Sequence, residues 1–400
     1  MGDASQVRLA IAPEATFGVN PAAGFNYLRF NNESLKHAQG VNESGEINPN
    51  RQPPGSLRIS RSAEGNIVCE DSLITPAADA TLTGFDILIK AAMMSSWSTI
   101  VALTSQSIDI SGVAGGAFTL TDAATAAAFA NVVDGQWIKL GGFTQGAIYA
   151  HVTTKTSNNV LVCEGVRSGG AAVTNEAGQT DISVSGSMIR IGSTRNSLSI
   201  EKQFTDLTVD EYSLMLGALV GQWAWGLNKQ EVAQHTWTIL GQTLGTLAGS
   251  TGAGSPAAVW ATQRITAPFD YYMKMEGIFT ALATHRISNI SFNLDNRPRL
   301  DFEVGSQTPQ VGIGTPRLTG QFNTYMDDAT LQRKLEAGTA SKLAFRLNDG
   351  TRDRIVTFPA IQYTDGGGFA GGNDQAVEQS LQFAAEPDSE GVAFQIDRLS

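Results

Sequence analysis

The sequence is short of charge. Asp, Glu, Lys and Arg make up 16% of its 400 residues, against roughly a quarter in an average globular chain. The balance is acidic, with 38 acidic and 27 basic side chains and a net charge of −11. Nucleic-acid binding is driven by clusters of Lys and Arg that release counterions from the phosphates. The composition therefore argues against a protein that binds DNA or RNA tightly.

Reactive and metal-binding residues are also scarce. Cys69 and Cys163 lie far apart in the chain, so we expect two buried thiols and not a disulfide or a metal pair. None of the four histidines has zinc-ligand spacing with another His or Cys. No Gly-x-Ser-x-Gly nucleophile motif occurs, and the glycine-rich stretch 366–372 predicts a hairpin loop and not a phosphate cradle. We predict no enzyme, no cofactor and no metal.

Membrane signals are missing as well. The N-terminus has no basic region followed by an apolar one, so we expect no secretory signal. The most apolar run, residues 212–228, contains Gly217, Gly221 and Gln222 and falls short of the ~20 apolar residues of a membrane span. For this region we predict a short buried helix within 206–219, followed by a strand, and no transmembrane segment.

What is abundant is glycine, at 42 residues, and with the many Ser and Thr residues it predicts short strands joined by tight turns. From about 95 to 190 the chain is rich in Ala, Gly, Ser and Thr, with turn signals between short apolar runs. We predict that 95–190 is a β-rich domain inserted into a host domain of residues 1–94 and 191–400, and that it faces outward. Its predicted strands are 107–110, 117–120, 136–140, 147–153, 160–163 and 181–184.

The host domain carries its own local signals. Residues 31–62 are polar, extended and without helical period, which predicts a long loop. Helical spacing of apolar residues predicts helices at 82–94 and 328–335, the second ended by Gly338. Residues 342–347 alternate apolar and polar side chains as a half-buried strand does. A second strand, 354–358, is predicted to end at Pro359.

A series of packing and turn residues runs in order along the host domain. Its members are 10–18 (AIAPEATFG), 25–29 (FNYLR), 32–34 (NES), 44–47 (SGEI), Arg51, 196–202 (NSLSIEK), 287–296 (ISNISFNLDN), 318–322 (LTGQF), Phe358, Pro359, Asp374, Gln375 and 381–383 (LQF). No single motif among them is diagnostic, but in this order they resemble the tail tube (major tail) proteins of long-tailed bacteriophages. The segment 95–190 lies outside this pattern.

The resemblance implies a tail-tube β-sandwich or split barrel with short helices, joined into six-membered rings that stack into a hollow tube for DNA passage during ejection. DNA would pass without specific binding, which the acidic balance fits. The partners would be other copies of the chain and the tape-measure, terminator and baseplate proteins, in a virion made in the bacterial cytoplasm. The resemblance also implies that the loop 31–62 contacts neighbouring subunits. The residues we expect in subunit contacts are Asn42, Glu46, Asn50, Arg51, Arg58, Asp365 and Asn373.

Three other interpretations remain open at this point. A surface adhesin would also be β-rich, acidic and poor in cysteine, and its inserted module would bind glycan. A hydrolase with an unrecognised site is a second alternative. A related tail-terminator or ring-shaped baseplate protein is the third and lies nearer to the tube interpretation; electron micrographs would distinguish the two.

Overall fold

The chain folds as a mainly β protein. The computed structural model describes residues 3–45, 55–73, 75–76, 82–168, 170–258, 272–275, 287–326, 329–369, 372–373 and 376–400. Strands make up 55% and helices 6% of it, which confirms the predicted fold class. The elements are α1 (Gly84–Met93), α2 (Thr330–Ala337), β1 (Val7–Pro13), β2 (Asn26–Leu28), β3 (Asn32–Glu33), β4 (Lys36–Glu43), β5 (Ser56–Glu70), β6 (Val101–Gln106), β7 (Ile108–Ala114), β8 (Ala117–Asp122), β9 (Trp137–Gly141), β10 (Ile148–Ser157), β11 (Val160–Arg167), β12 (Ile182–Arg190), β13 (Leu198–Phe204), β14 (Glu211–Asn228), β15 (Gln234–Gly241), β16 (Thr243–Leu244), β17 (Tyr272–Met275), β18 (Ile287–Asp295), β19 (Arg299–Asp301), β20 (Gln310–Gly312), β21 (Arg317–Tyr325), β22 (Ser341–Asn348), β23 (Asp353–Phe369), β24 (Glu378–Glu386) and β25 (Gln395–Leu399).

The first sheet has the antiparallel order β2-β1-β13-β14-β16. Its inner face is apolar, with Leu9, Ile11 and Ile200 buried in the main core. β14 leaves this sheet at Gly217, where φ is +61°. A Cβ at Gly217 would lie 2.9 Å from the Cβ of Gln242. The bend therefore requires glycine, both for its left-handed backbone and for the space around it.

Beyond the bend, β14 belongs to a second sheet, with the order β4-β5-β15-β14-β18-β21-β24-β23. The first part of β23 pairs with β22 on one edge and with β25 on the other. Because β14 is shared, the two sheets enclose one main core together with α1. Its largest fully buried side chains include Trp223, Trp237, Phe322, Phe358 and Phe383.

Helix α1 is buried on almost every side. Only Lys90 among its residues is not buried, as expected for a helix that packs against β14, β1, β2 and β12. The buried carboxylate of Asp86 is neutralised by Arg398 of β25, with 2.8 Å between Oδ2 and Nη1. The predicted helix over 82–94 is confirmed.

Residues 101–184 build a second hydrophobic core, separate from the main one. The strands around it follow the order β6-β12-β9-β10-β11-β8-β7. The two end strands, β6 and β7, are separated by Ser107 alone, so the sheet rolls back on itself around its core. All six strands predicted for this segment are present, and β6 is an additional one. We call residues 101–190 the inserted module, and its bounds as a domain stay a prediction.

The inserted module is joined to the host by β12 and by a buried cluster. The first half of β12 pairs with β6 and β9, and residues Ser187–Arg190 pair with β25. Trp137 and Tyr149 of the module pack against Ile355 and Leu399 of the host. The junction is therefore a shared strand and a small apolar interface.

Four predictions about local structure are wrong. The helix predicted within 206–219 is instead the first part of the 18-residue strand β14, because a strand buried on both faces shows a continuous apolar run like that of a buried helix. The loop predicted at 31–62 contains the paired strands β4 and β5. Residues 366–369, predicted as loop, extend β23.

The fourth wrong prediction is that Pro359 ends its strand. β23 continues through it because Pro359 lies at a register shift with β22 and between the stretches that pair with β25 and β24. A residue without a backbone N–H is tolerated at such an irregular position.

Helix α2 spans Thr330–Ala337. Gly338 caps its end and has the predicted left-handed backbone, with φ +61°.

Candidate assembly surface

A two-stranded hairpin, formed by β4 and the first part of β5, projects from the second sheet. We call residues 36–43 and 56–62 the arm. Towards its tip both strands are exposed on both faces, and the exposed fractions of Val41, Leu57 and Ile59 are 57%, 69% and 57%. A hairpin with no layer behind it is marginally stable in water. Three exposed apolar side chains on such an element indicate a surface that another molecule covers.

The base of the arm is fixed to the body. Arg61 donates from Nη2 to the backbone oxygen of Leu244, and its backbone N–H donates to the oxygen of Gln307 at 2.7 Å. A register shift opposite Gly40 and Val41 gives the arm a bulge. Bulges increase strand twist and hinder indiscriminate edge-to-edge pairing.

The structure brings together only some of the residues predicted to make subunit contacts. Asn42 and Arg58 lie on the arm and are exposed. Asp365, in the second half of β23, and Asn373 are also exposed but lie away from the arm, since β4 and β23 stand at opposite ends of the second sheet. Glu46, Asn50 and Arg51 lie outside the described residues.

The second sheet has an open edge at each of these ends. Among the described residues, β4 pairs with β5 alone, and β23 pairs beyond Ile361 with β24 alone. The remaining backbone N–H and C=O groups of both strands are available to another chain. Because the two edges belong to different strands, a contact between them would be head-to-tail between copies.

A groove at the end of the first sheet was not predicted from the sequence. It has a volume of about 420 Å³ and is lined by residues from three distant segments: Asp3, Ala4, Gln6, Val7, Phe204, Thr205, Asp206, Leu207 and Leu247. The only local signal was the pair of apolar residues Leu207 and Val209 in a polar stretch. Nothing in the sequence connects them with Val7 or Leu247.

In the described part of the chain, a buried group of polar side chains around Asp71 resembles a catalytic site in composition. Asp71 accepts from Arg354 Nη1 at 2.6 Å and from Trp225 Nε1 at 2.9 Å, and it lies 3.2 Å from His235 Nε2. His235 Nδ1 in turn accepts from Trp223 Nε1 at 2.9 Å. All these side chains are buried, so no substrate reaches them, and the groups serve to satisfy one another in the core.

Their protonation follows from this burial. Burial raises the pKa of the Asp71 carboxyl, but the positive charge of Arg354 and the contact with His235 outweigh it, so this pKa lies below its ordinary value. Burial lowers the pKa of His235, against the attraction of Asp71. Asp71 is therefore ionised and His235 neutral at pH 7. Below pH 6.5 the unfolded chain binds a proton on His235 that the folded chain does not, so the free energy of unfolding falls.

The described part of the chain is poor in other reactive groups. It has no group of three or more His, Cys, Asp or Glu residues placed to hold a metal ion. It also has no helix both long enough and apolar enough to cross a membrane. Cys69 and Cys163 are free and buried, as predicted, and burial raises the pKa of the Cys69 thiol to about 12. Such thiols are unreactive at neutral pH.

Comparison with known proteins adds the family. A family model described as phage tail tube protein matches residues 4–385. The match spans the host and the inserted module alike. No curated protein matches the chain.

Proposed function

Because the chain belongs to the phage tail tube protein family, a family of structural proteins of the virion tail, we propose that its copies form stacked hexameric rings enclosing a channel. DNA passes through this channel during ejection. The observation that carries the proposal is the pair of unlike open edges at opposite ends of the second sheet. Joining one edge to the other in the next copy removes both, and repetition closes a ring.

The channel is proposed to let DNA through without binding it. The chain carries a net charge of −11, and a wall with excess carboxylates repels phosphate at short range. Assembled tubes mixed with double-stranded DNA should retain none at low or high salt. Retention that weakens as salt is raised would contradict this part of the proposal.

The arm is proposed as a contact between subunits, and Asn42, Glu46, Asn50, Arg51, Arg58, Asp365 and Asn373 as the residues that make contacts between copies. Deleting residues 38–58 should leave subunits with unchanged far-ultraviolet circular dichroism that form neither rings nor tubes in negative-stain micrographs. Normal tubes from this deletion would show that the arm is not needed.

The inserted module is proposed to lie on the outside of the tube and to take no part in ring contacts. Joining Ser95 to Ser187 by a short linker should give thinner tubes that lack the outer density. Folded subunits that no longer assemble would show instead that the module contributes to the ring.

Electron microscopy of the purified protein tests the whole proposal. Hollow tubes support it. A single ring that does not stack would favour a terminator or baseplate protein, and dispersed monomers with affinity for glycan would favour an adhesin. We propose further that the protein is not an enzyme, that it is made in the host cytoplasm, and that it contacts the tape-measure, terminator and baseplate proteins.

A further inference from the structure

The groove at the end of the first sheet is the open end of the main core. Val7 of β1 and Phe204 of β13 are register partners, so their side chains lie on the same face of the sheet as Leu9, which is buried in the core. Leu207 and Leu247 extend this apolar surface, with exposed fractions of 40% and 58%. Large apolar side chains that continue a core into solvent mark a surface that something covers.

The rim of the groove is acidic. Asp3 and Asp206 both line it, and the backbone N–H of Asp3 donates to Asp206 Oδ2 at 3.0 Å, which holds the two carboxylates together. No Lys or Arg is among the lining residues. On this face of the sheet, Lys202 packs over the Phe204 ring and forms an ion pair with Glu33. Among the described residues, the lining of the groove thus combines an apolar floor with two carboxylates and no basic side chain.

The arm has the complementary character. Leu57 and Ile59, two of its exposed apolar residues, flank Arg58, which is itself exposed. Neighbouring residues of a strand face opposite sides, so Arg58 points away from the face that carries Leu57 and Ile59. No residue of the arm lines the groove of its own chain, so any contact between the two requires another copy.

We propose that the groove receives the arm of a second copy. Leu57 and Ile59 cover Leu207, Leu247 and Phe204 on the floor. Arg58, on the opposite face of the strand, lies at the open side of the groove, where Asp3 and Asp206 form the rim. The inference rests on the proposed function, since it names the partner surface for the arm. Arm and groove are different surfaces of the same chain, so the contact is head-to-tail and propagates from copy to copy.

Crosslinking tests the contact directly. Both native thiols are buried, so single exposed cysteines can be added to the natural chain without removing any. Leu57→Cys and Leu207→Cys are made as separate proteins, mixed, assembled and treated with a mild oxidant. We expect a disulfide-linked heterodimer as the main product. The control replaces Leu207→Cys by Val19→Cys, which is 55% exposed and follows the far end of β1, and it should give little heterodimer.

Charge reversal tests the same contact without covalent chemistry. Arg58→Glu should raise the protein concentration needed for assembly about tenfold, because an attraction becomes a repulsion. Asp206→Arg should do the same. The protein carrying both changes should assemble within about twofold of the wild type. Circular dichroism of each variant checks that the fold is kept.

The outcomes separate this inference from the proposed function. The groove contact would be overturned if the wild type forms tubes but the cysteine variants give no crosslink between positions 57 and 207. It would also be overturned if the double charge reversal does not restore assembly. Either result would leave the tube proposal standing. Equal crosslinking by the Val19→Cys control would also overturn it, since the reaction would then be unspecific. A wild-type protein that forms neither rings nor tubes would overturn both.

Discussion

Raising the pH from 6.5 to 8 is expected to destabilise the subunit, because Asp397 is buried at the junction with the inserted module. Its Oδ1 accepts from the backbone N–H of Trp137 at 3.0 Å, and its Oδ2 accepts from Gln395 Nε2 at 2.7 Å. Burial raises the pKa of the Asp397 carboxyl to about 8, against the opposing effects of these hydrogen bonds and of the charge on Arg190. The folded chain therefore holds a proton here that the unfolded chain releases.

The sign and size follow from proton linkage. Between the unfolded pKa of about 4 and the folded pKa, the folded state binds one more proton, so the free energy of unfolding falls by about 1.4 kcal/mol per pH unit. This stability is fully present below about pH 4 and is lost as pH rises through 8. His235 and Asp71 act in the opposite direction, but only below pH 6.5. Burial also raises the pKa of Asp86, against the charge of Arg398, so Asp86 acts in the same direction as Asp397. The contribution of Asp397 from pH 6.5 to 8 is a loss of about 2 kcal/mol.

The assay is urea unfolding of unassembled subunits, followed by tryptophan fluorescence at pH 6.5, 7.0, 7.5 and 8.0 and constant ionic strength. Asp397→Asn removes this titrating group and should make the free energy of unfolding depend less steeply on pH, whatever its effect on absolute stability. Asp365→Asn, at an exposed carboxylate of β23, is the matched control and should keep the wild-type slope. Equal slopes for wild type and Asp397→Asn would refute the reasoning.

Three further predictions concern the same unfolding assay. Gly217→Ala should cost at least about 1 kcal/mol through its left-handed backbone, whereas Gly226→Ala, where a new Cβ meets nothing closer than 3.7 Å, should cost less. Lys139→Met and Asp353→Asn each break the ion pair across the junction, in which Lys139 Nζ lies 3.0 Å from Asp353 Oδ2. A double-mutant cycle should give a coupling free energy of about 0.5–3 kcal/mol. A coupling of zero would mean that the pair is not formed. Phe358→Ala should cost about 3–5 kcal/mol, and a loss below 1 kcal/mol would contradict its burial in the core.

Elements with one-sided burial could be predicted from the sequence. In β22, Leu343, Phe345 and Leu347 lie on the core face as their alternation predicts. The strands of the inserted module were found for the same reason. Helix α1 is buried on almost every side, but its large apolar residues keep the helical spacing that predicts it. In each case the local pattern and the final environment agree, so no long-range information is needed.

Elements whose environment is the same on both faces could not be predicted. β14 is buried on both sides around its bend, so its apolar run has no period that distinguishes strand from helix. The arm is the opposite case, because both faces are exposed and most residues are polar, which leaves only the short alternation of Leu57 and Ile59 with their polar neighbours. Its two strands form by pairing with each other, and β5 pairs with β15 beyond the arm. The sequence of either strand does not reveal these partners.

The candidate site was predictable only where it is continuous in the chain. The arm was predicted as a contact segment through Asn42, Arg58 and their neighbours, and the structure places these two residues together on it. The groove combines Val7, Phe204 and Leu247, which the register of the first sheet and the turn after β16 bring together. Such a surface emerges from topology and has no signature in any one segment.

The shared strand β12 constrains how this tail protein can exchange its inserted module over evolution or in engineering. The chain enters the module through a loop after α1 but leaves it within a strand whose last residues, Ser187–Arg190, are paired with β25. A foreign domain spliced in at residue 190 would remove that pairing along with the old module. Cargo grafted into turns inside the module, such as the one between β10 and β11, would leave it intact. Insertions into the turns of the module are therefore expected to be tolerated better than replacement of the whole module.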